Sequence, residues 1–282
     1  MSFRNAHLTA LKLLPKNTLS RAFGVVSEVE FPTPVQRVVN RTFAQLAGIA
    51  IHEAGRPLGE YASLNALFTR TLKDGARSIE GGAEDLVSPV DGRVGAFGTI
   101  EEGTLVQAKG REYRLIDLVD SAEDAEHFYG GSFLTIYLSP RDYHRIHAPV
   151  SGELDKVSYI PGQLFPVHDF AVANIDRLFA INERLITYFQ TQQFGRVGLV
   201  KVGATCVGRI GLSFDDLQTN QGLRRRDEIL LGETIPFSVG DELALFNLGS
   251  TVVILVESPN LKLRNGLQRG EKVKMGELLS EK

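Results

Sequence analysis

The sequence places a serine where the protein's own backbone could become a substrate. Ser250 follows Gly249 in the stretch "FNLGST" at 246–251, immediately before the β-branched run "TVVILV". Glycine offers little steric obstruction and tolerates strained backbone angles, which would leave the Gly249 carbonyl carbon open to attack. A base that deprotonates Ser250 Oγ would let this oxygen attack that carbonyl and convert the peptide bond into an ester. The same residues are also typical of a plain turn or bulge at the start of a strand.

Two histidines could supply the acid–base chemistry. His144 and His147 lie three residues apart in "YLSPRDYHRIHAP" at 137–149, and imidazole is the side chain that titrates near neutral pH. On an extended segment, residues three apart point to opposite faces, so the two rings could perform different tasks. A metal pair is disfavoured, because the segment has no zincin glutamate and no cysteine nearby. Structural or surface histidines are the other interpretation that stays open.

Asp91 is the candidate acid that could orient one of these imidazoles. It lies in "SPVDGRV" at 88–94, on a Pro-x-Asp-Gly turn that leads into a predicted strand. Serine is usually activated by a base that a third group orients, which makes Asp91, His147 and Ser250 a candidate set. An Asp-Gly dipeptide is an ordinary turn, so a purely structural role for Asp91 stays open as well.

The composition is that of a globular protein with an uneven distribution of charge. The 282 residues carry a net charge of −3. Residues 1–45 carry a net +4, so the remaining residues total −7. A basic leading segment indicates contact with an anionic surface, and its sparse basic residues with few aromatics favour a membrane over nucleic acid. The single cysteine, Cys206, excludes an internal disulfide and is interpreted as a buried core thiol.

The start of the chain predicts an amphipathic helical segment. Apolar residues recur there at helical spacing, namely Leu8, Leu11, Leu14, Leu19, Phe23 and Val26. Such a basic segment can lie on a membrane surface, or it can pack on the protein's own core. No stretch reaches the roughly 18 apolar residues that cross a bilayer, and neither a signal peptide nor a transit peptide is recognised.

The elements that must position the candidate residues change in character along the chain. Residues 1 to about 75 have helical spacing, with a serine cap predicted at Ser63 and a glycine stop at Gly75. Beyond about residue 85, short β-rich segments are separated by glycine, and a helical island is predicted only at 172–189, "VANIDRLFAINERLITYF". The predicted fold class is α+β: a β-rich body of short, Gly-punctuated strands with a helical N-terminal membrane-docking region.

The predicted strands lie in seven glycine-punctuated segments. These are "SPVDGRVGAFGTI", "GTLVQAKGREYRL", "GSFLTIYLS", "GELDKVSYI", "RVGLVKVGATCVGRIGLSF", "DELALFNLGSTVVILV" and "EKVKMGELL". Their β-branched content and their glycine boundaries are the reasons for this prediction.

Together these motifs resemble the phosphatidylserine decarboxylase family, whose members are proenzymes that make their own pyruvoyl group. The resemblance spans roughly residues 60–258. It is carried by "FNLGST", "YLSPRDYHRIHAP", "SPVDGRV", "LVQAKGREYRL", "YIPGQLFPV" and "LFAINERL". The Leu-Gly-Ser-Thr step combined with Ser-Pro-Arg-Asp-Tyr-His-Arg-x-His is highly specific.

The resemblance implies that the chain cuts itself between Gly249 and Ser250. Asp91, His147 and Ser250 would match the family's autoprocessing triad, with Asp91 orienting the imidazole and His147 taking the serine proton. β-Elimination from the ester would then leave dehydroalanine. Hydration and loss of ammonia would convert it into an N-terminal pyruvoyl group.

The resemblance also implies the roles that follow self-cleavage. The pyruvoyl group derived from Ser250 would form a Schiff base with the substrate amine and act as the electron sink for loss of CO2. His144 matches the position that protonates the resulting carbanion, and His168 in "FPVHDF" lies near the predicted substrate loop. Neither a metal nor an external cofactor is expected.

The implied partners follow from a lipid substrate. Phosphatidylserine in an anionic membrane would become phosphatidylethanolamine, on a peripheral enzyme at the cytoplasmic side of a bacterial cell membrane. Residues 1–75 would dock on the membrane, and residues 76–282 would form the catalytic domain. The other expected partners are the protein's own cleaved chains, 1–249 and 250–282, and a second copy in a homodimer. Nucleic acid is not expected.

Two interpretations from other classes stay open. A non-catalytic β-rich binding module is one, because "SPVDGRV" and "EKVKMGELL" resemble the turns of lipoyl-type and phosphocarrier domains. A conventional serine hydrolase is the other, although Ser250 lacks the Gly-x-Ser-x-Gly elbow. Only the proenzyme interpretation predicts two fragments on denaturing electrophoresis.

Overall fold

The structure is a computed structural model that describes residues 15–108, 111–205, 209–220, 227–247 and 250–281. Several residues for which the sequence makes predictions lie outside these ranges. They are Cys206, Gly249 on one side of the predicted cleavage bond, and Leu8, Leu11 and Leu14 of the predicted amphipathic segment.

Helices form the N-terminal region, and short helices lie between strands in the rest of the chain. They are α1 (Lys16–Glu28), α2 (Thr33–Ala47), α3 (Leu64–Phe68), α4 (Leu115–Val119), α5 (Ala122–Glu126), α6 (Asp169–Asn174) and α7 (Leu178–Ile181), with 3₁₀ turns at Ile51–Glu53 and Leu58–Glu60. Gly48 ends α2 with φ +74°, a left-handed conformation that glycine adopts without a steric penalty.

Helix α3 begins with the predicted serine cap, but it does not extend to the predicted glycine stop. Ser63 Oγ accepts a hydrogen bond from Ala66 N at 3.1 Å, which confirms the predicted serine cap. The predicted stop at Gly75 is wrong, because the helix ends at Phe68. Gly75 instead lies in a turn with φ +77°, and this turn leads the chain to Arg77 beside the catalytic candidates.

Strands dominate the chain after Val90. They are β1 (Gly92–Thr99), β2 (Thr104–Ala108), β3 (Arg111–Arg114), β4 (Ser132–Tyr137), β5 (Arg145–His147), β6 (Gly152–Ile160), β7 (Arg184–Thr191), β8 (Gly195–Val202), β9 (Ile210–Leu212), β10 (Asp227–Phe237), β11 (Glu242–Phe246), β12 (Thr251–Val256) and β13 (Lys272–Val273). Each of the seven predicted β-rich segments contains at least one of these strands. The α+β class with a β-rich body is confirmed.

The predicted helical island at 172–189 is partly wrong. Two short helices, α6 and α7, occupy its beginning, but residues from Arg184 onward form β7. This strand pairs with β6 on one side and β8 on the other, and all residues from Arg184 to Phe189 are buried. A strand that is buried on both faces lacks the alternation of apolar and polar residues, so its sequence resembles that of a buried helix.

The main sheet places β12 between two long partners. Its strand order is β10-β6-β7-β8-β12-β4-β1-β13, and every pairing within it is antiparallel. A second sheet has the order β5-β11-β9, and β2 and β3 form a hairpin. All six residues of β12 are buried, which explains the unbroken β-branched run in the sequence.

The N-terminal helices turn their polar side chains inward. α1 buries Lys16, Ser20 and Ser27, and α2 buries Gln36, Asn40 and Ala44. Gln36 Nε2 donates to Asn40 Oδ1 at 2.8 Å, and Asn40 Nδ2 donates to the Tyr61 carbonyl at 2.8 Å. These bonds satisfy polar groups that would otherwise make burial costly.

The apolar side chains of the same two helices therefore face outward. Large exposed hydrophobic residues concentrate on these helices and on the segment between them, namely Leu19, Val25, Val26, Val29, Phe31, Val35, Val38 and Leu46. Among the described helices, none is both long and apolar enough to cross a bilayer. Of the predicted amphipathic face, Leu19 and Val26 are exposed and Phe23 is half-buried, while Leu8, Leu11 and Leu14 lie outside the described residues.

Among the residues that the structure describes, the buried apolar side chains form two clusters. The larger cluster contains residues between Leu86 and Leu279 and includes the apolar residues of the main-sheet strands. The smaller joins the end of α2 to α3 through Ala44, Ile49, Ala54, Tyr61 and Leu67.

Candidate active site

Ser250 lies at the start of β12, at the centre of the main sheet. Thr251 pairs with Tyr137 of β4 and with Val202 of β8. Leu138 N donates to the Ser250 carbonyl at 2.8 Å, which extends the pairing by one residue. The Ser250 side chain is fully buried, and its Oγ has no hydrogen-bond partner among the described residues. An unpaired buried hydroxyl costs about 1–3 kcal/mol, so the fold keeps this polar group buried at the expense of stability.

His147 ends β5 and carries its lone pair on Nε2. Its Nδ1 donates to the Gly240 carbonyl at 2.7 Å, since a carbonyl can only accept. Tyr143 Oη then donates to Nε2 at 3.2 Å. Burial lowers the pKa of His147, while the Gly240 carbonyl and the charges of Glu242 and Asp91 oppose this shift. The ring is therefore a neutral base at neutral pH.

The backbone just before Asp91 contacts the backbone of His147, but the Asp91 carboxylate is hydrogen-bonded to other groups. His147 N donates to the Pro89 carbonyl at 2.9 Å, two residues before Asp91. Arg77 donates from Nε to Asp91 Oδ1 at 2.8 Å and from Nη2 to Oδ2. Met275 N also donates to Oδ1, at 2.9 Å. Among the described residues, Asp91 therefore makes no hydrogen bond to His147, although its charge acts on that ring.

Arg77 joins Asp91 to the N-terminal region. Its Nη2 also donates to Glu53 Oε2 at 2.9 Å, and the guanidinium is nearly buried. Hydrogen bonds to Asp91 raise the pKa of Arg77, which keeps it charged. Lys274 Nζ lies 3.8 Å from Glu53 Oε1. The cluster thus connects the segments around residues 53, 77, 91 and 275.

His144 lies in a separate and drier environment. Its Nδ1 donates to the Asp142 carbonyl at 2.9 Å, and its ring centroid lies 4.0 Å from that of Phe68. Nε2 is buried without a partner among the described residues. Burial lowers the pKa of His144 from 6.5 to about 3. The two histidines thus have different surroundings, as their spacing in the sequence predicts.

Arg70 stabilises the backbone that holds His144. Its Nη2 donates to the carbonyls of Arg141 and Asp142, at 3.2 Å each. The Asp142 carbonyl therefore accepts from both Arg70 and His144. Because Arg70 and Phe68 both come from the end of α3, the N-terminal region contributes directly to the placement of this imidazole.

A cavity of about 670 Å³ lies against one face of the main sheet. Thr251, which follows Ser250, lines it together with Thr135 and Tyr137 of β4. The remaining lining residues come from β1, the β2–β3 hairpin, the α6 segment and the C-terminal part: Arg93, Val94, Gly95, Gln107, Val167, Asp169, Phe170, Val172, Ala173, Asn174, Phe179, Arg269 and Gly270. The cavity therefore reaches the start of β12 from this side.

His168 lies in the segment that covers this cavity. It is exposed and caps α6, with its Nδ1 accepting from Ala171 N at 3.4 Å. The neighbouring Val167, Asp169 and Phe170 line the cavity. Within the described ranges, no group of three or more His, Cys, Asp or Glu side chains is arranged to hold a metal ion.

Several residues of the site could not be singled out from the sequence. Arg77 and Arg70 have no motif of their own, and the Gly240 carbonyl is a backbone group of a turn. Tyr143 is different, because it lies inside the histidine motif between Asp142 and His144. Its position next to two candidate histidines was a signal that could have marked it.

Comparison with known proteins decides the family. The model of the phosphatidylserine decarboxylase family matches residues 64–281, a range that contains Asp91, His144, His147 and Ser250. The chain belongs to the phosphatidylserine decarboxylase family. The resemblance of the motifs is thus confirmed, and the chain is an enzyme of this family. The alternative of a non-catalytic carrier module is wrong.

Relatives in the phosphatidylserine decarboxylase family are similar over nearly the whole chain. A phosphatidylserine decarboxylase proenzyme of Brevibacillus brevis is 42% identical over 270 residues, covering 95% of both chains. A proenzyme of the same name from Myxococcus xanthus is 41% identical over 266 residues, covering 94% of both. One from an Anaeromyxobacter species is 41% identical over 278 residues, covering 96% of both.

Proposed function

We propose that this protein decarboxylates phosphatidylserine to phosphatidylethanolamine and CO2 after cutting itself between Gly249 and Ser250. The observation that carries the proposal is the fully buried, unpaired Oγ of Ser250, the residue directly before the cavity-lining Thr251. Relatives that share about two fifths of its residues bear the name phosphatidylserine decarboxylase proenzyme. A proenzyme that cuts itself requires a reactive group in its own chain, and Ser250 has the burial and the missing partner expected of one.

His147 is the proposed base for self-cleavage. Its lone pair is on Nε2, because Nδ1 donates to Gly240, and its lowered pKa keeps the ring ready to take a proton. In the structure, Tyr143 Oη is hydrogen-bonded to His147 Nε2. The proton of Ser250 therefore reaches this nitrogen either after Tyr143 has moved or through the Tyr143 hydroxyl. Asp91 stabilises the imidazolium by its charge.

The atoms balance in the proposed cleavage. Ser250 Oγ bonds to the Gly249 carbonyl carbon as the Gly249–Ser250 peptide bond breaks, and the amine of residue 250 takes a proton. Elimination then leaves this oxygen on the new carboxylate of Gly249. Residue 250 keeps its three carbons, gains a carbonyl oxygen from water and loses ammonia.

The residues around position 250 fit the pyruvoyl group that the family implies. Ser250 Oγ and Thr251 Oγ1 are both buried without partners among the described residues, so the start of β12 holds polar groups that a modified residue or a bound molecule would satisfy. When present, the pyruvoyl group supplies an electron sink for loss of CO2 from an amino acid, much as pyridoxal phosphate does.

His144 is the proposed proton shuttle of decarboxylation. It is neutral at neutral pH and carries its lone pair on Nε2, since Nδ1 donates to Asp142. Nε2 can therefore carry a proton from solvent to the carbon that has lost CO2, since loss of CO2 consumes one proton per turnover and the product keeps its ammonium group.

We also place the membrane contact on the outward faces of α1 and α2. Exposed apolar residues lie there together with Arg21, Arg37 and Arg41. An apolar helical surface with basic residues binds anionic bilayers through burial and charge attraction. The small cluster around Ala44 and Leu67 supports a docking region 1–75 with an apolar core of its own, which contacts the catalytic domain 76–282 through Glu53, Phe68 and Arg70. Peripheral attachment at the cytoplasmic side of the cell membrane and a homodimer belong to the same proposal.

The function is tested by incubating purified protein with vesicles that contain phosphatidylserine. We expect phosphatidylethanolamine and CO2 from the wild type and neither product from Ser250→Ala. A serine hydrolase would instead release a fatty acid or the headgroup from the same lipid. Absence of phosphatidylethanolamine from self-cleaved wild-type protein would contradict the proposal.

A further inference from the structure

One row of side chains crosses three neighbouring strands of the main sheet, from the start of β12 through β4 to β1. Arg93 of β1 pairs with Tyr137 of β4, and Tyr137 pairs with Thr251 of β12. Directly opposed residues in antiparallel strands point to the same face of a sheet. All three line the 670 Å³ cavity. Neighbouring strands are about 4.8 Å apart, so the Arg93 backbone lies roughly 10 Å from that of Thr251.

A second arginine borders the same cavity. Arg269 precedes Gly270, whose N–H donates to the Val94 carbonyl at 2.8 Å. Gly270 has φ +87°, a left-handed conformation that favours glycine, and this turn holds the segment against β1. Arg269 and Arg93 are therefore brought to one side of the cavity, although they lie far apart in the sequence.

The charges of Arg93 and Arg269 are only weakly neutralised by carboxylates of the protein. Arg93 Nη1 lies 3.8 Å from Asp169 Oδ2, with the side chains 42% and 92% exposed. Such an exposed, long ion pair contributes little. Arg269 forms no ion pair within the described part of the chain. Two guanidinium groups next to one exposed carboxylate leave this side of the cavity positively charged, which favours an anion.

The chemistry of a seryl headgroup identifies which anion these arginines suit. Arginine donors form a planar fork that matches phosphate oxygens in two-point hydrogen bonds. The headgroup also has a carboxylate, but this group must leave as CO2. Holding it with arginines would stabilise the ground state more than the transition state. The phosphodiester keeps its charge throughout the reaction, and the serine Cα, Cβ and ester oxygen separate it from the amine.

We propose that Arg93 and Arg269 form the subsite that binds the phosphodiester of the substrate and thereby selects serine phosphodiesters over free serine. The inference rests on the proposed function, because it takes the start of β12 as the reacting end of the cavity. Asp169 competes with the substrate for Arg93, so it weakens binding in the wild type. The substrate class is O-phosphodiesters of serine, whether lipid or soluble.

The central experiment measures kcat and KM for a short-chain phosphatidylserine in neutral detergent micelles. Arg93→Gln and Arg269→Gln should each raise KM about tenfold or more, since hydrogen bonds to charged groups are strong. Because the phosphodiester charge is the same in ground and transition states, kcat should change less than about twofold. Asp169→Asn should lower KM. Arg114→Gln is the matched control, since Arg114 is exposed and does not line the cavity.

The outcomes separate this inference from the proposed function. If the wild type produces no phosphatidylethanolamine, the proposed function fails. If the wild type is active and both arginine variants keep the wild-type KM, the subsite is overturned. An equal fall of kcat and kcat/KM would overturn it as well, because that pattern marks a transition-state contact. Self-cleavage of each variant on denaturing gels reports that it has folded.

A binding measurement covers variants that fail to self-cleave. In uncleaved full-length Ser250→Ala protein, inorganic phosphate should raise the unfolding temperature in a concentration-dependent way. Adding Arg93→Gln and Arg269→Gln should abolish this rise, while adding Arg114→Gln should preserve it. Phosphate should also inhibit the wild type competitively, whereas chloride at the same ionic strength should not. A phosphate effect that survives in the double-arginine variant would contradict the subsite.

Discussion

Arg77 holds both carboxylate oxygens of Asp91, through Nε to Oδ1 at 2.8 Å and Nη2 to Oδ2. The two side chains are only 6% and 11% exposed. Breaking a buried ion pair leaves a charge that neither water nor a partner solvates. The position of the candidate triad acid therefore depends on an arginine that lies 14 residues earlier in the chain.

We expect Arg77→Met to lower the free energy of unfolding by roughly 3 kcal/mol, because it leaves Asp91 unpaired in a buried site. The measurement is urea unfolding of uncleaved Ser250→Ala protein, which keeps the chain in one piece. Adding Asp91→Asn to Arg77→Met should cost less than the sum of the two single changes. Arg114→Met, which removes an exposed pair with Asp117, is the control and should have little effect. Strict additivity of the Arg77 and Asp91 changes would contradict the coupling.

The two histidines should separate self-cleavage from decarboxylation. His147→Ala should remain uncut, because it removes the proposed base for Ser250. His144→Ala should cut itself but lose decarboxylation by about 10²–10⁴-fold, the usual contribution of a positioned acid–base group. Denaturing gels report the first property and product formation the second. Exposed His52→Ala is the matched control for both. A His144→Ala protein with normal decarboxylation would rule out the proposed shuttle.

Stability should fall with acidity because His144 is buried in its neutral form. Its pKa is about 3 in the folded protein, against 6.5 when exposed. Between these values the unfolded chain binds more protons than the folded one, so the free energy of unfolding decreases as the pH falls below about 6.5. The full contribution is present above this pH, and the loss is up to about 1.4 kcal/mol per pH unit.

The pH dependence is measured by urea unfolding of Ser250→Ala protein between pH 6.5 and 4.5. Adding His144→Asn should reduce the slope, while adding His52→Asn should leave it unchanged. The slope should not vanish, because burial also lowers the pKa of His147. Equal slopes with and without His144 would show that its folded pKa is not lowered.

The outward face of α2 should govern vesicle binding. Val38 and Leu46 are 64% and 84% exposed, so Val38→Ser with Leu46→Ser should leave folding intact. The double variant should bind anionic vesicles about tenfold more weakly, since each side chain loses favourable apolar burial in the bilayer. Tyr129→Ser, at an exposed residue outside α1 and α2, is the control. Binding of the wild type should also weaken with rising salt, and unchanged binding of the double variant would exclude this face.

The local sequence predicted those parts of the site that carry their own motif. The strand after Ser250, the turn at Asp91 and the pair His144 and His147 all follow from residue types over a few positions. The residues that contact these groups do not follow from the local sequence. Arg77 reaches Asp91 from outside the sheet, and Arg93 and Arg269 line the same cavity because β1 pairs with β13. Such contacts depend on strand pairing and packing between separate segments, which local spacing does not encode.

Burial was the other property that the sequence could not supply. Lys201 is fully buried, with Nζ donating to Thr187 Oγ1 at 2.9 Å, although its charge alone would place it at the surface. Gln36 and Asn40 are buried while Val38 is exposed. Helical spacing identifies two faces of α2, but it does not determine which face packs against the rest of the protein. The answer came from Tyr61, whose carbonyl satisfies Asn40.

The central claim is that Ser250 becomes the pyruvoyl group, and intact mass spectrometry of the purified wild-type protein tests it most directly. The account predicts two chains, 1–249 and 250–282, with the small chain lighter than a serine-starting peptide by the mass of ammonia. Ser250→Ala should give one chain with the full mass. A single uncut chain from wild-type protein that forms phosphatidylethanolamine, or a small chain that still begins with serine, would contradict the account.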